Sequence, residues 1–248
     1  MMMDFMKKTA FILLAALFGL GAQAQQSATF EGFVAYEFEI KDAPQEVKQQ
    51  LQQSLMAVWV KGKEMKVSLE LSHSVLSTLT NLENDEGFFF IETKEQFHER
   101  LAKPLGGKPC VYQEEAHRLL VPADKKADND NDGKKRLVYT NETKEILGHL
   151  CRKAIITLDN GEQVYAYVAT DIDLPKNAYH HIDFQFYGIE GLPLEYEVVD
   201  EQGTRMIVRA TRLEAGEVKP AVFKLPAQYE RTTPDKLAEM TAELYHKH

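Results

Sequence analysis

The chain predicts a mainly β protein, an α+β arrangement built on one antiparallel sheet that is curled or closed on itself. Three observations predict it. Apolar residues alternate at period two through most of the chain, turn residues punctuate those runs as in hairpins, and helical spacing recurs only twice. A sheet of many hairpins has to manage its two edges, and curling does so.

A leader precedes the strands. Lys7-Lys8, the apolar run 10–18 and Ala22-Gln23-Ala24 make the charged, apolar and small-x-small parts of a secretory signal peptide spanning residues 1–24. The run is shorter than the roughly 20 residues a membrane-crossing helix needs. Cleavage is expected after Ala24, with no Cys there to carry a lipid. The expected location is therefore periplasmic or secreted, and soluble. No later stretch is long and apolar enough to span a membrane, so an integral membrane protein is not expected.

Residues 30–40 open the mature chain with alternation that places Val34, Tyr36, Phe38 and Ile40 on one face. The rhythm then breaks. Asp42 caps and Pro44 starts a predicted helix over 44–57, with Val47, Leu51, Leu55 and Val58 at helical spacing. Trp59-Val60 and residues 65–71 flank Lys61-Gly62-Lys63 as a hairpin or bulge. Residues 75–82 read as a strand, because the turn Asn84-Asp85-Glu86-Gly87 follows directly. Phe88-Phe89-Phe90-Ile91 reads as a buried strand, and 104–109 as a loop around Gly106-Gly107. Residues 123–136 are highly charged and hold no apolar side chain larger than Ala, which predicts a mobile loop.

The second half is more regular. Residues 154–158 and 164–168 form a hairpin signature across Asp159-Asn160-Gly161. Residues 194–198 and 206–210 form another across Glu201-Gln202-Gly203. Residues 222–226 read as the last strand of a single domain, 25–232. A helix or tail follows over 233–248, with Leu237, Met240 and Leu244 on one side.

Composition bounds the partners. The 29 Lys and Arg against 38 Asp and Glu give a net charge of −9, and removing the leader's net +1 leaves −10 on 224 residues. Such a surface repels nucleic acid and anionic headgroups. The short basic clusters Lys125-Lys126 and Lys134-Lys135-Arg136 both sit beside Asp residues, so no nucleic-acid partner is expected. The two cysteines, Cys110 and Cys151, read in an oxidising compartment as one disulfide closing about 40 residues, for about 3–4 kcal/mol in the chain-entropy model. The other reading is two buried thiols behaving as small hydrophobes.

Chemistry-bearing constellations are few. Asp128, Asp130 and Asp132, with Gly133, match the first half of a calcium-binding loop, but the twelfth position is Tyr139 rather than Glu. That leaves a weak metal candidate beside a solvated loop. His180-His181 with Asp183 is compact, yet neighbours on a strand point to opposite faces. His246 and His248 lie at the terminus, and no zinc spacing occurs. His149 and Cys151 would share a strand face as a nucleophile pair, unless a disulfide consumes the thiol. No Gly-x-Ser-x-Gly elbow and no phosphate-cradling loop occurs, so neither an enzyme nor a cofactor is expected. The aromatics carry more. Phe88-Phe89-Phe90 fills both faces of its strand, as a doubly covered core strand or as part of a site for an acyl chain. The candidate ligand-binding residues are Trp59, Phe88, Phe90, Tyr165 and Tyr167.

Several landmarks of the second half recur together. Thr143-Lys144-Glu145-Ile146-Leu147-Gly148-His149-Leu150-Cys151, then Gly191-Leu192-Pro193-Leu194, then Phe223-Lys224-Leu225-Pro226-Ala227-Gln228-Tyr229 resemble the landmarks of the exported family called domain of unknown function 4412. The resemblance covers most of 28–232 and is strongest from Thr143. The GLPGLI family is similar around Gly191-Leu192-Pro193, where Leu194-Glu195 replaces its following Gly-Leu. What the resemblance implies is a fold similar to the LolA-like lipoprotein carriers: a strongly curved antiparallel half-barrel with a few helices in or against its concave face. It also implies that Gly148 bends a strand, that Pro193 and Pro226 end strands and that Cys151 packs or bonds. The expected function is non-enzymatic binding of a hydrophobic ligand, a lipid or acylated protein, in the half-barrel. The alternative is an envelope scaffold or protein-interaction module with a filled core.

Overall fold

Alternation becomes pairing in the computed structural model, which describes residues 29–40, 54–71, 74–93, 108–113 (backbone only), 137–158, 160–175, 178, 188–199, 203–227 and 229–233. The expected leader, the 123–136 loop, the terminal segment and the helix positions up to 53 lie outside them. Twelve strands form one sheet. They are β1 (Gly32–Ile40), β2 (Leu55–Lys61), β3 (Glu64–Glu70), β4 (Ser74–Asn81), β5 (Glu86–Thr93) and β6 (Lys108–Gln113), then β7 (Leu137–Ile146), β8 (His149–Thr157), β9 (Gln163–Ala169), β10 (Leu192–Val199), β11 (Arg205–Ala215) and β12 (Tyr229–Thr232).

The strand order is β12-β6-β5-β4-β3-β2-β1-β11-β10-β9-β8-β7. Two antiparallel meanders, β1 to β6 and β7 to β11, therefore join where β1 pairs with β11. The order has two ends, so the sheet is open. Only β12 runs parallel, against β6. Among the described residues helical geometry is confined to a 3₁₀ turn at Pro220–Phe223 and to position 178, also 3₁₀.

Four expectations change here. The predicted helix over 44–57 does not reach its end, since Leu55–Lys61 is β2. Leu55 and Val58 fit helical spacing, but Met56, Val58 and Val60 also alternate and are buried against β1 and β3. The expected last strand over 222–226 begins inside the 3₁₀ turn, and the last strand is β12. Gly148 does not bend a strand. With Leu147 it makes the two-residue turn between β7 and β8, both at positive φ (51° and 83°). Pro193 starts rather than ends its strand, at the point where β10 shifts register against β9.

Register divides the sheet into two faces, because paired residues project to the same side. One face carries Val34 and Tyr36 of β1 and, through the pairings, Met56, Val58 and Val60 of β2. Across the β1–β11 junction a bulge at Thr211 keeps the phase, so Tyr36 faces Ala210. Tyr196 of β10 meets Tyr36 edge-on at 6.0 Å, and the Tyr36 hydroxyl donates to the Pro193 carbonyl at 3.0 Å. Both rings are fully buried. The β9–β10 connection closes this half: Ile172, Leu174, Ala178 and Ile189 join the same core, and the Phe30 amide donates to the Asp173 carbonyl.

The segment after β11 must travel from the middle of the sheet to its far edge, and it crosses the opposite face. Lys61 anchors it there, donating to the Val218 carbonyl at 2.7 Å, while the Val218 amide donates to Glu31. Leu225 then packs on a second cluster of Leu79, Phe90, Tyr229 and Phe88. A four-residue strand, β12, completes the edge.

Candidate functional site

The five residues selected from sequence all lie on this second face, and they fall into two groups. Phe33, Trp59, Lys66, Leu79 and Phe88 form one cross-strand row, with Phe90 two residues beyond Phe88. Trp59 stacks on Phe33 at 5.1 Å, and Lys66 lies 5.5 Å from the Trp59 ring and 5.9 Å from Phe90. Arg231 covers Phe88 at 5.5 Å. Tyr165 and Tyr167 stand on β9, with β10, β11 and β1 between them and Trp59. Cations cover these rings too: Lys153 lies over both and Lys144 over Tyr167. Rings capped by Lys and Arg stabilise a polar sheet face and do not make a greasy cavity.

Around Tyr167 the second face is an ion network. Glu195 is 3% exposed. Lys144 donates to both of its carboxylate oxygens at 2.8 Å, and Arg209 Nε donates at 2.7 Å. Burial alone would raise the Glu195 carboxyl, but these two hydrogen-bonded cations outweigh it and hold it below the ordinary range. The Tyr167 hydroxyl donates to Glu142, which pushes Tyr167 up to about 12, with burial adding to the shift. Glu142 is held low by that bond and by Lys153.

Cys151 is a free, fully buried thiol. The Cys110 side chain lies outside the described residues, and eight strands separate β6 from β8 in the sheet order. The thiol contacts the His149 carbonyl at 3.6 Å, while the His149 ring pairs with Asp171 at 2.7 Å. Burial first, then the Asp171 charge, push the thiol up to about 11. A thiol so held is protonated near neutrality, so the His149–Cys151 nucleophile pair has no activated sulfur. Among the described residues no group of three His, Cys, Asp or Glu is placed to hold a metal. Asp128, Asp130 and Asp132, His180-His181 with Asp183, and His246 and His248 lie outside those residues.

The first face is the better candidate site, and sequence reasoning passed over it. Three rows run without interruption across β1 to β5: Tyr36–Met56–Leu69–Leu76–Ile91, Val34–Val58–Val67–Thr78–Phe89 and Gly32–Val60–Met65–Thr80–Gly87. No Asp, Glu, Lys, Arg or His stands in them. Burial is nearly complete at β1 and β2; at the β4–β5 end Leu76, Phe89 and Ile91 are half-buried, while Thr78, Thr80 and Gly87 stay buried. Phe89 was the signal available in the sequence, as the member of Phe88-Phe89-Phe90 that points the other way. Only register tells which of the three shares a face with Val34.

No family model matches the chain, and no curated protein matches it. Among solved structures, PNGF-II aligns at TM-score 0.48 and 13% identity, over 87% of this chain and 33% of that one. The chain thus spans about a third of the PNGF-II structure it matches. An uncharacterized conserved protein from Thermus thermophilus aligns at TM-score 0.46 and 10% identity, over 84% and 94% of the two chains. A LolA superfamily protein from Nitrosomonas europaea aligns at TM-score 0.31 and 13% identity, over 81% and 91%. Likeness at this level bears on neither ligand nor activity. No helix among the described residues is long and apolar enough to cross a membrane.

Proposed function

We propose that the chain is an exported, non-catalytic binding protein that holds a hydrophobic ligand, a lipid or the acyl group of an acylated protein, against its charge-free face. One observation carries the proposal: three rows continue across five strands with no ionisable side chain except the engaged Tyr36, and Leu76, Phe89 and Ile91 at the outer end of two of them are half-buried. A face of this kind gains about 0.8 kcal/mol for each ligand CH₂ it removes from water. The Lys7-Lys8, apolar-run and Ala22-Gln23-Ala24 leader supports export, and the resemblance to the exported families belongs to the same proposal.

The test compares the two faces. Leu76→Gln and Ile91→Gln place an amide at the half-buried end of the apolar rows, whereas Lys66→Met alters the cation-capped face. A fluorescent fatty-acyl probe should bind wild type and Lys66→Met alike, and should bind both glutamine variants several-fold more weakly, with circular dichroism unchanged. Equal binding by all four would remove the apolar face as the site. The closed half of that face, under Ile172, Leu174 and Ile189, favours the filled-core scaffold if wild type itself binds no probe.

A further inference from the structure

The open sheet ends in two unlike edges. β12 is four residues long, which leaves little for another strand to pair with. β7, at the other end, is ten residues long, and Asn141 to Glu145 are all exposed. Among the described residues β8 is its one strand neighbour. Ile146 and His149 close the two-residue turn and bond to each other, so alternation turns the N–H and C=O groups of Thr143 and Glu145 outward. Among the described residues no backbone bond outside the ladder reaches them. The same hairpin holds the exposed large aliphatic side chains of the described residues: Val138 (60%), Leu147 and Leu150 (66%). A long, uncovered edge of this kind is a template for strand pairing.

An ordinary extended peptide fits this edge poorly. Residues 140–142 together stand opposite Lys153, which makes a bulge in β7. Its polar groups are used inside the hairpin: Arg152 Nε donates to the Thr140 carbonyl, and the Glu142 amide donates to the Thr140 hydroxyl. A regular strand would meet that bulge with nothing to match it, whereas a second β7 meets it symmetrically. We infer that β7 pairs antiparallel with β7 of a second copy of this chain, about a two-fold axis at Thr143, so that one sheet runs through both copies.

Counted in the positions of β8, Thr143 then faces Thr143, Glu145 faces Tyr139, and Ile146 faces Val138 of the partner copy. Outward backbone groups meet outward groups in this register, and each residue shares a face with its opposite. The exposed Val138 is covered by Ile146, with Leu147 of the same copy beside it. Lys144 faces the bulge that carries Glu142, so no like charges are set opposite each other. An axis one position on would set lysine against lysine, and two positions on glutamate against glutamate. A leucine in a turn that ordinarily takes Asn or Gly thereby gains a contact. The pairing uses the outer edge of β7 and none of the three charge-free rows, so it stands apart from the ligand reading.

The experiment is sedimentation velocity of the whole chain, purified without detergent. Wild type should sediment as a dimer at about 100 μM and as a monomer at about 1 μM, as befits a small interface. Glu145→Pro removes an outward N–H and leaves the β8 ladder in place, and Val138→Lys sets an ammonium against Ile146. Each change occurs twice in the dimer, so each should weaken association at least about tenfold, with circular dichroism unchanged. Register is read by cross-linking. Thr143→Cys, on the axis, should form an intermolecular disulfide with diamide above the wild-type background, whereas Leu150→Cys, exposed but one strand further in, should not. A wild type that stays monomeric throughout, or a dimer that either substitution leaves at wild-type strength, overturns the pairing. Equal cross-linking at the two cysteine positions overturns the register.

Discussion

Glu195 keeps its charge in an almost wholly buried position because Arg209 reaches it from neighbouring β11 and Lys144 from β7, beyond β9 and β8. The two cations are themselves nearly half exposed, so losing the carboxylate lets them return to water. Glu195→Gln should therefore cost about 1–3 kcal/mol at neutral pH, read by denaturant unfolding. The pH dependence has a definite sign. A carboxyl whose folded pKa lies below its ordinary 4.5 stabilises the fold above that value, and its contribution disappears as pH falls through the folded value. The melting temperature of wild type should thus fall more steeply than that of Glu195→Gln from about pH 5 to about pH 3. At Cys151 the raised pKa and full burial predict no alkylation of the native protein by iodoacetamide, and labelling once denaturant is present. Peptide mapping of the labelled chain would check this. Little of this was legible in the sequence: Leu194-Glu195-Tyr196-Glu197-Val198 reads as apolar-in, polar-out. Nothing local tells that Lys144, 51 residues away, returns to bury one of the two glutamates.

Among elements, the β7–β8 hairpin carries a local conflict. Leu147 takes a positive φ in a two-residue turn and exposes 43% of its surface, where Asn or Gly is the ordinary choice. Leu147→Asn should stabilise the protein by about 1 kcal/mol, seen as a raised melting temperature. Gly191 is the opposite case. Its φ is 111°, and a Cβ there would meet the Ala169 carbonyl at 2.4 Å, so Gly191→Ala should cost at least about 1 kcal/mol in the same assay. Hairpins were the part of the fold most open to sequence reading, because alternation and turn chemistry are both local. β8 with β9 and β10 with β11 are where the pattern placed them. Elements that failed did so where two periods overlap or where a distant partner decides. Leu55 and Val58 fit a helix and a strand equally, and pairing with β1 and β3 settles them as strand. The residues after Pro220 look extended, but they serve a crossing between distant strands.

For the molecule as a whole, the open strand order creates two unlike faces. One is closed by ions, cation-covered rings and the crossing segment from β11 to β12. The other carries three continuous charge-free rows and is half-buried at Leu76, Phe89 and Ile91. Composition and alternation revealed that such a sheet exists. They did not reveal which aromatic residues share the apolar face, since a one-residue error in phase exchanges Phe89 for Phe88 and Phe90. Native mass spectrometry of the protein purified without detergent from the cells that make it, followed by organic extraction, tests the binding claim most directly. The account predicts a stoichiometric apolar adduct that extraction removes and that Leu76→Gln diminishes. A clean protein mass, unchanged after incubation with acyl lipids, would contradict it.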